Sequence, residues 1–218
     1  MLVLAIDAST YSGSVALIRD GEVVADTGAA MRGEREERLM PAIAALLESQ
    51  STTIDRLDAV ACGAGPGSFT SLRIAASIAK GLSAARSLPL LVAPSTLLVA
   101  AAANPALETG EYVVALDAMR GDFFCQDVSV SSSGVLQPGD SARMTRALLD
   151  EHASSRSARV IGPTELPPLV PHARGFALLI RAGIAQPVEM TSWEPNYGRK
   201  AEAQVRWEAA HGRELGAN

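Results

Sequence analysis

Apolar residues are arranged along this chain in two ways, as short continuous runs and at the spacing of a helix face. Together these arrangements predict alternating strands and helices. Short apolar runs that end in a polar or glycine turn predict buried strands at 2–7, 13–18, 57–62, 112–117, 122–128 and 158–162. Apolar positions spaced three or four apart predict helices at 34–50, 70–86, 95–103, 144–153 and 175–182. Because Pro41 is costly deep inside a helix, the first helix is expected to start near Arg38 or to kink there. This alternation predicts an α/β fold.

A pattern of the first half recurs in the second. The run 2–7 is an apolar strand that ends in an aspartate, and the run 112–117 has the same form. The later strand that ends at Gly63 is echoed by the run 158–162. The recurrence suggests two copies of one α/β unit, although two buried strands also resemble each other by chance. We expect one half at 1–104 and a smaller half at 105–218, whose tail packs back on the first.

A stretch rich in glycine joins the strand at 57–62 to the helix at 70–86, and residues 63–73 read GAGPGSFTSLR. Backbone N–H groups at a helix start lack partners within the helix and lie at the positive end of its dipole. A bare glycine loop there is therefore a candidate anion site. The alternative is a tight connection that binds nothing.

Composition and charge narrow the function classes. The chain has 218 residues, 48% hydrophobic and 20% charged, which is usual for a protein with its own core. Its formal net charge of −5 argues against a protein that binds nucleic acid alone, because phosphate binding needs a basic face. Cys62 and Cys125 are expected to be buried free thiols, which suits a cytoplasmic location. No apolar run approaches the ~20 residues of a membrane span.

The helix at 70–86 is slender, because residues 75–85 are mostly alanine, serine and glycine. Small side chains allow another helix to approach closely. These residues either pack on the chain's own sheet or form a contact with a partner chain, and the sequence leaves both open.

Three motifs, in order along the chain, resemble those of the TsaB (YeaZ) family: AIDAST at 5–10, the loop at 63–73, and EPNYGR at 194–199. The resemblance runs from Leu2 to about Glu208. It implies two ribonuclease-H-like halves of the actin/Hsp70/sugar-kinase (ASKHA) type, with mixed sheets flanked by helices. Gly198 and Glu202 depart from the apolar or basic residues that family members often carry in the tail.

The same resemblance implies a role in making threonylcarbamoyladenosine, next to the anticodon of tRNAs that read codons starting with adenosine. Family members are partners of the catalytic subunit TsaD, with the ATPase TsaE and a separate threonylcarbamoyl-adenylate synthase. We therefore expect a scaffold that activates TsaD as a heterodimer, forms a homodimer when alone, and reaches tRNA only through the complex. The chain itself should need no cofactor, and ATP or ADP with Mg²⁺ is expected at most at a shared interface.

Catalysis by the chain alone is not expected. TsaD-type relatives carry two histidines four residues apart after the second helix, a spacing that puts both on one helix face to bind a metal. The equivalent stretch here, 93–100, has neither histidine nor carboxylate. His152, His172 and His211 lie far apart and are interpreted as surface residues. The prediction is therefore no catalytic residue and no metal ligand.

Three groups of residues are predicted to form sites. A remnant of the superfamily's nucleotide site is expected at Asp7, Ser9, Thr10, Gly65, Gly67, Ser68 and Asp117. The partner interface is expected at Leu39, Ile43, Leu46, Arg73, Ala76 and Lys80. Tail contacts are expected from Trp193, Tyr197 and Arg199, with a solvated tail as the alternative. For Asp117 the alternative is a structural aspartate that accepts hydrogen bonds from the next turn.

Two other function classes stay open. A small ATP-dependent phosphotransferase or ATPase would use Asp7, the glycine loop and Asp117, but the sequence shows no second nucleotide-binding motif and no general base. A metallopeptidase would need the histidine pair that 93–100 lacks.

Overall fold

A computed structural model describes residues 1–31, 37–119, 121–198, 207 and 210–212 of the chain. It has ten strands within these residues: Leu2–Asp7 (β1), Ser12–Arg19 (β2), Glu22–Ala30 (β3), Ala59–Gly63 (β4), Leu90–Ala93 (β5), Gly110–Met119 (β6), Asp122–Val130 (β7), Leu136–Thr145 (β8), Arg159–Ile161 (β9) and Gln186–Val188 (β10). The α-helices described are Leu39–Ser49 (α1), Phe69–Arg86 (α2), Ser95–Ala101 (α3), Arg146–Ser155 (α4) and Phe176–Arg181 (α5). The predicted α/β class is confirmed.

The strands form two mixed sheets with related topology. The first has the order β10-β5-β4-β1-β2-β3, and the second has the order β8-β7-β6-β9. In the first sheet β1 pairs antiparallel with β2 and parallel with β4. In the second sheet β6 pairs antiparallel with β7 and parallel with β9. The recurrence seen in the sequence thus corresponds to two sheets that share a hairpin beside a parallel strand.

The hairpin between β2 and β3 turns through two residues that lie between the strands. Asp20 and Gly21 have φ angles of 53° and 82°. Positive φ at both central residues is the requirement of the hairpin turn that matches the twist of paired strands.

The buried strands divide their side chains between two cores, because successive residues point to opposite faces of a sheet. In β1, Val3 and Ala5 point to the core that contains α3 and α5, whereas Leu4 and Ile6 point to the core under α1 and α2. Strands β6 and β7 also contribute to the first of these cores. Helix α4 packs on the other face of the second sheet through Leu149. Helix α3 therefore lies between the two sheets.

The helix boundaries confirm one prediction and correct another. Helix α1 begins at Leu39, which confirms the predicted start near Arg38 and places Pro41 in the first turn, where a missing N–H costs little. Thr145 ends β8, and α4 starts only at Arg146. Residues 32–36, the start of the predicted first helix, lie outside the described residues.

Four strands were missed, namely β3, β5, β8 and β10. Strands β3 and β8 are largely exposed and lack a continuous apolar face, while β5 and β10 have only four and three residues. After α5 the chain returns to the first sheet, where β10 pairs with β5.

Within the described residues, no helix is long and apolar enough to cross a bilayer.

Candidate functional site

Asp7 ends β1 and is completely buried. Its Oδ1 accepts hydrogen bonds from the backbone N–H of Ser9 at 3.1 Å and from the Ser9 hydroxyl at 2.8 Å. Its Oδ2 accepts from the Ser95 hydroxyl at 2.6 Å. Burial raises the pKa of Asp7 above its ordinary value, and the hydrogen bonds from Ser95 and Ser9 oppose that rise. Both carboxylate oxygens are thus engaged by the chain itself.

Ser95 connects this carboxylate to the glycine loop. Its Oγ accepts a hydrogen bond from the backbone N–H of Gly65 at 3.0 Å while it donates to Asp7. Its own backbone N–H donates to the carbonyl of Gly65 at 2.7 Å. The end of β1, the glycine loop and the start of α3 are therefore held together by one buried side chain.

Three backbone donors of the glycine loop are used within the protein. The N–H of Ala64 donates to the carbonyl of Ala93 at 2.8 Å, and the N–H of Ser68 donates to the carbonyl of Ser9 at 2.7 Å. With the Gly65 N–H bound to Ser95, three donors of the loop already have partners. The expectation of bare N–H groups is therefore wrong at these three residues, because the end of β5, the start of α3 and the β1–β2 turn supply their acceptors.

Close approach of the chain to itself explains why glycine is needed in this loop. A Cβ atom on Gly63 would lie 1.9 Å from Oδ2 of Asp7, and one on Gly67 would lie 2.0 Å from the carbonyl oxygen of Ser9. Gly65 has a φ of +82°, and its Cβ would lie 2.1 Å from the carbonyl oxygen of Asn196. The space beside the three glycines is thus occupied by groups of the same chain.

The remaining predicted nucleotide-site residues are arranged differently. Ser68 precedes α2, but its hydroxyl pairs with that of Ser71 at 3.1 Å and does not cap the helix. The Thr10 hydroxyl donates to the carbonyl of Ser12 within the β1–β2 turn. Asp117 is exposed near the end of β6 in the second sheet. Asp7, Ser9 and the glycine loop therefore come together, whereas Thr10 is used within its own turn.

The tail segment lies across the first half. The backbone N–H of Asn196 donates to the carbonyl of Ala64 at 2.7 Å. The rings of Tyr197 and Phe69 have centroids 4.5 Å apart. Trp193 is partly buried against the core under α2. Arg199, the third predicted tail contact, lies outside the described residues.

The predicted interface residues require a correction. Leu39, Ile43, Leu46 and Ala76 are at most 5% exposed, and the first three belong to the core between the helices and the chain's own first sheet. The exposed positions of α1 are Met40, Pro41, Ala44, Ala45, Glu48 and Ser49. On α2 the exposed positions after the first turn are Arg73, Ser77, Gly81, Ala84, Ala85 and Arg86. Of the other two predicted interface residues, Arg73 is exposed, and Lys80 is partly covered by an ion pair with Glu194 at 3.5 Å.

His152 and His172 are only partly exposed, in contrast to their interpretation as surface residues. His152 on α4 bonds through Nε2 to Oδ1 of buried Asp127 at 2.8 Å, and Arg156 lies 3.5 Å from the other oxygen of that carboxylate. Within the described part of the chain, no three His, Cys, Asp or Glu side chains are grouped closely enough to hold a metal ion. Cys62 and Cys125 are free and buried, as predicted, and burial raises the pKa of the Cys125 thiol to about 11.

Ser95 and Asn196 are the site residues that sequence reasoning missed. Ser95 is separated from its partner Asp7 by 88 positions, and a local sequence pattern cannot predict a contact of that range. The available signal was its place directly after Pro94 at a predicted helix start. Asn196 acts through its backbone, which the identity of its side chain does not reveal.

Comparisons with known proteins give a consistent picture. A family model described as TsaD, tRNA N6-adenosine threonylcarbamoyltransferase, matches residues 31–141, just over half of the chain. The chain is 33% identical over 135 residues to the tRNA threonylcarbamoyladenosine biosynthesis protein TsaB of Escherichia coli, a match that covers 62% of this chain and 58% of that protein. It is 34% identical over 128 residues to TsaB of Haemophilus influenzae, covering 59% of this chain and 54% of that protein. The match therefore spans less than two thirds of these relatives.

Among solved structures, YeaZ from Pseudomonas aeruginosa superposes with a TM-score of 0.72. The superposition covers 90% of this chain and 99% of that one at 23% sequence identity. At that identity the likeness concerns the fold, and it extends over both sheets and the connection between them.

Proposed function

The chain belongs to the TsaD family, as a TsaB (YeaZ) member with the ASKHA-type fold, and from this we propose that it is a partner subunit without catalysis of its own in tRNA threonylcarbamoyladenosine formation. In this proposal it binds and activates the transferase subunit TsaD, and the ATPase TsaE completes the assembly.

The engagement of the glycine loop and Asp7 carries the proposal. A phosphate site needs free N–H donors and an accessible carboxylate for a metal ion. Here the loop donors at Ala64, Gly65 and Ser68 are bonded to the chain, and Asp7 is buried with both oxygens hydrogen-bonded. The same engagement counts against a phosphotransferase that would use this loop. Nucleotide, if required by the assembly, then belongs to an interface shared with a partner.

The outer faces of α1 and α2 supply a surface for the partner. Both helices pack on one face of the first sheet, and their exposed positions are mainly small or apolar. Gly81 has open space where a Cβ would be. Small residues let a partner helix approach closely, and Met40, at 41% exposure, offers an apolar anchor. In the absence of TsaD the same surface would pair with a second copy, which is the expected origin of a homodimer.

Contact with tRNA is assigned to the complex. The formal net charge of −5 is unfavourable for holding a polyanion, so a partner has to provide the basic surface.

Reconstitution of the modification tests this proposal. TsaD, TsaE and the synthase from the same source are mixed with unmodified tRNA, ATP, threonine and bicarbonate, and modified adenosine is measured by mass spectrometry of tRNA digests. The proposal predicts product only when this chain is present and none from the chain with the synthase alone. Equal product without the chain would contradict the partner role, and product without TsaD would contradict the lack of catalysis.

A further inference from the structure

Residues 193–198, called the strap below, run along α2 towards the second half. The Glu194 carboxylate lies 3.5 Å from Nζ of Lys80, in the middle of α2. The Tyr197 ring lies against Phe69, the first residue of α2. Two ends of the strap are thus attached to one helix, so it cannot shift along α2 without breaking both contacts.

The centre of the strap is bonded to the glycine loop. Asn196 donates its N–H to the carbonyl of Ala64, and its own carbonyl oxygen occupies the space beside Gly65. Gly65 in turn donates to Ser95 at the start of α3. The loop therefore lies between the strap on one side and α3 on the other.

The last residue of the strap reaches the second half. A Cβ on Gly198 would lie 2.3 Å from the Phe124 ring of β7 and 3.0 Å from the Pro66 side chain of the loop. Gly198 also has a φ of +67°, a backbone conformation that residues other than glycine rarely adopt. The strap thus ends wedged between a strand of the second sheet and the loop of the first.

These contacts lie at a cleft of about 390 Å³ between the halves. Its wall includes Gly65 and Pro66 from the loop, Phe124 and Arg143 from the second sheet, and Asn196 and Gly198 from the strap. Any change in the width of the cleft has to move Phe124 relative to Pro66, and Gly198 fills the gap between them.

We propose that the strap is a latch that holds the two halves closed over this cleft and couples its width to the start of α2. When the latch is closed, Gly198 fixes β7 against the loop while Tyr197 fixes Phe69. When it opens, the loop, β7 and the first turn of α2 lose protection together. The inference concerns motion within one chain and does not depend on the proposed partner.

A pair of glycine substitutions in the full-length chain tests the latch. Gly198→Ala adds a methyl group that overlaps Phe124, whereas Gly183→Ala is made at nearly the same φ, +66°, with nothing within 4 Å. Both variants carry the same backbone penalty, so their difference isolates the overlap. Amide hydrogen exchange is followed by mass spectrometry for peptides covering the loop, β7, the start of α2 and the remote helix α4.

The latch predicts that Gly198→Ala speeds exchange about tenfold or more in the loop, in β7 and at the start of α2 together, while α4 stays unchanged. Gly183→Ala should change only its own surroundings. Faster exchange confined to the strap, or equal effects of the two variants, would overturn the proposal. So would faster exchange throughout the chain, since that is global destabilisation.

A double variant separates overlap from general damage. Phe124→Leu removes the ring that the new methyl group meets, so Gly198→Ala should have a much smaller effect in that background. An unchanged effect would mean that the Gly198–Phe124 contact does not hold the latch, and the proposal would fail.

Discussion

The Ser95 hydroxyl donates a 2.6 Å hydrogen bond to the buried carboxylate of Asp7, and in doing so joins the end of β1 to the start of α3. The superfamily resemblance implied that Asp7 was a phosphate or Mg²⁺ residue. In this chain the same aspartate is an internal acceptor that orders the junction between β1, the glycine loop and α3. The expected consequences concern stability, partner binding and nucleotide binding.

The Asp7 carboxylate should make stability depend on pH in a defined direction. Because its pKa is raised in the folded chain above the ordinary value of 3.8, the unfolded chain loses this proton first as the pH rises. The Asp7 contribution to the free energy of unfolding therefore falls from about pH 4 up to the folded pKa and is then constant. Asp7→Asn does not titrate, so its stability relative to wild type should increase over that interval. Urea unfolding at a series of pH values measures this, and a flat or decreasing difference would contradict it.

Alanine substitution should have opposite effects on stability at Gly67, in the loop before α2, and at Gly81, within α2. Gly67→Ala forces a methyl group onto the carbonyl oxygen of Ser9, and we expect a loss of about 1–3 kcal/mol in the free energy of unfolding. Gly81→Ala meets open space in the middle of a helix, and we expect a gain of roughly 0.5–1 kcal/mol. Urea unfolding of the two variants compares them directly. A stabilising Gly67→Ala would mean that the loop is looser than described.

Two apolar residues of α1 should differ in how much an aspartate destabilises the protein, because one is buried and the other is exposed. Ile43 is 1% exposed, so Ile43→Asp puts a carboxylate into the core and should cost more than about 4 kcal/mol, enough to unfold much of the protein. Met40 is 41% exposed, so Met40→Asp should change stability by no more than about 0.5 kcal/mol. Circular dichroism during thermal unfolding measures both. A folded Ile43→Asp variant would show that this face of α1 is not in the core.

The isolated chain should show no thermal shift with Mg²⁺ and ATP at millimolar concentration. A ligand at a hundred times its Kd would stabilise the native state by about 2.7 kcal/mol, which a thermal shift detects readily. The expected absence follows from the bonded donors of the glycine loop and from the buried Asp7. A shift that Asp7→Ala removes, while Asp117→Ala keeps it, would show that the loop does bind nucleotide.

Local sequence patterns predicted the strands and helices better than they predicted what those strands and helices pack against. The continuous apolar run of β1 and the spacing of Leu39, Ile43 and Leu46 indicate a strand and a helix, because both depend on neighbouring residues. The same apolar stripe does not say whether it faces the chain's own sheet or a partner, and here it faces the sheet. The glycines of the loop indicated an anion site or a tight connection, but the groups that approach two of them, Ser9 and Asn196, come from distant segments. Contacts of that range depend on the whole topology.

The exposed strands were missed because they also depend on contacts between distant segments. Most of β8 is solvent-exposed, so it has no apolar stripe, and its place in the sheet depends on backbone pairing with β7. Backbone hydrogen bonds leave little trace in side-chain identity.

The proposed binding of TsaD to the outer faces of α1 and α2 can be tested by size-exclusion chromatography with light scattering. Wild type and Gly81→Arg are each mixed with TsaD from the same source, and Ser154→Arg on the exposed side of α4 serves as the control. We expect a stable heterodimer for wild type and Ser154→Arg, and separate elution for Gly81→Arg, which should remain folded because its site is open. Failure of the wild-type chain to associate with TsaD would contradict the partner role, and a heterodimer that survives Gly81→Arg would contradict the assigned surface.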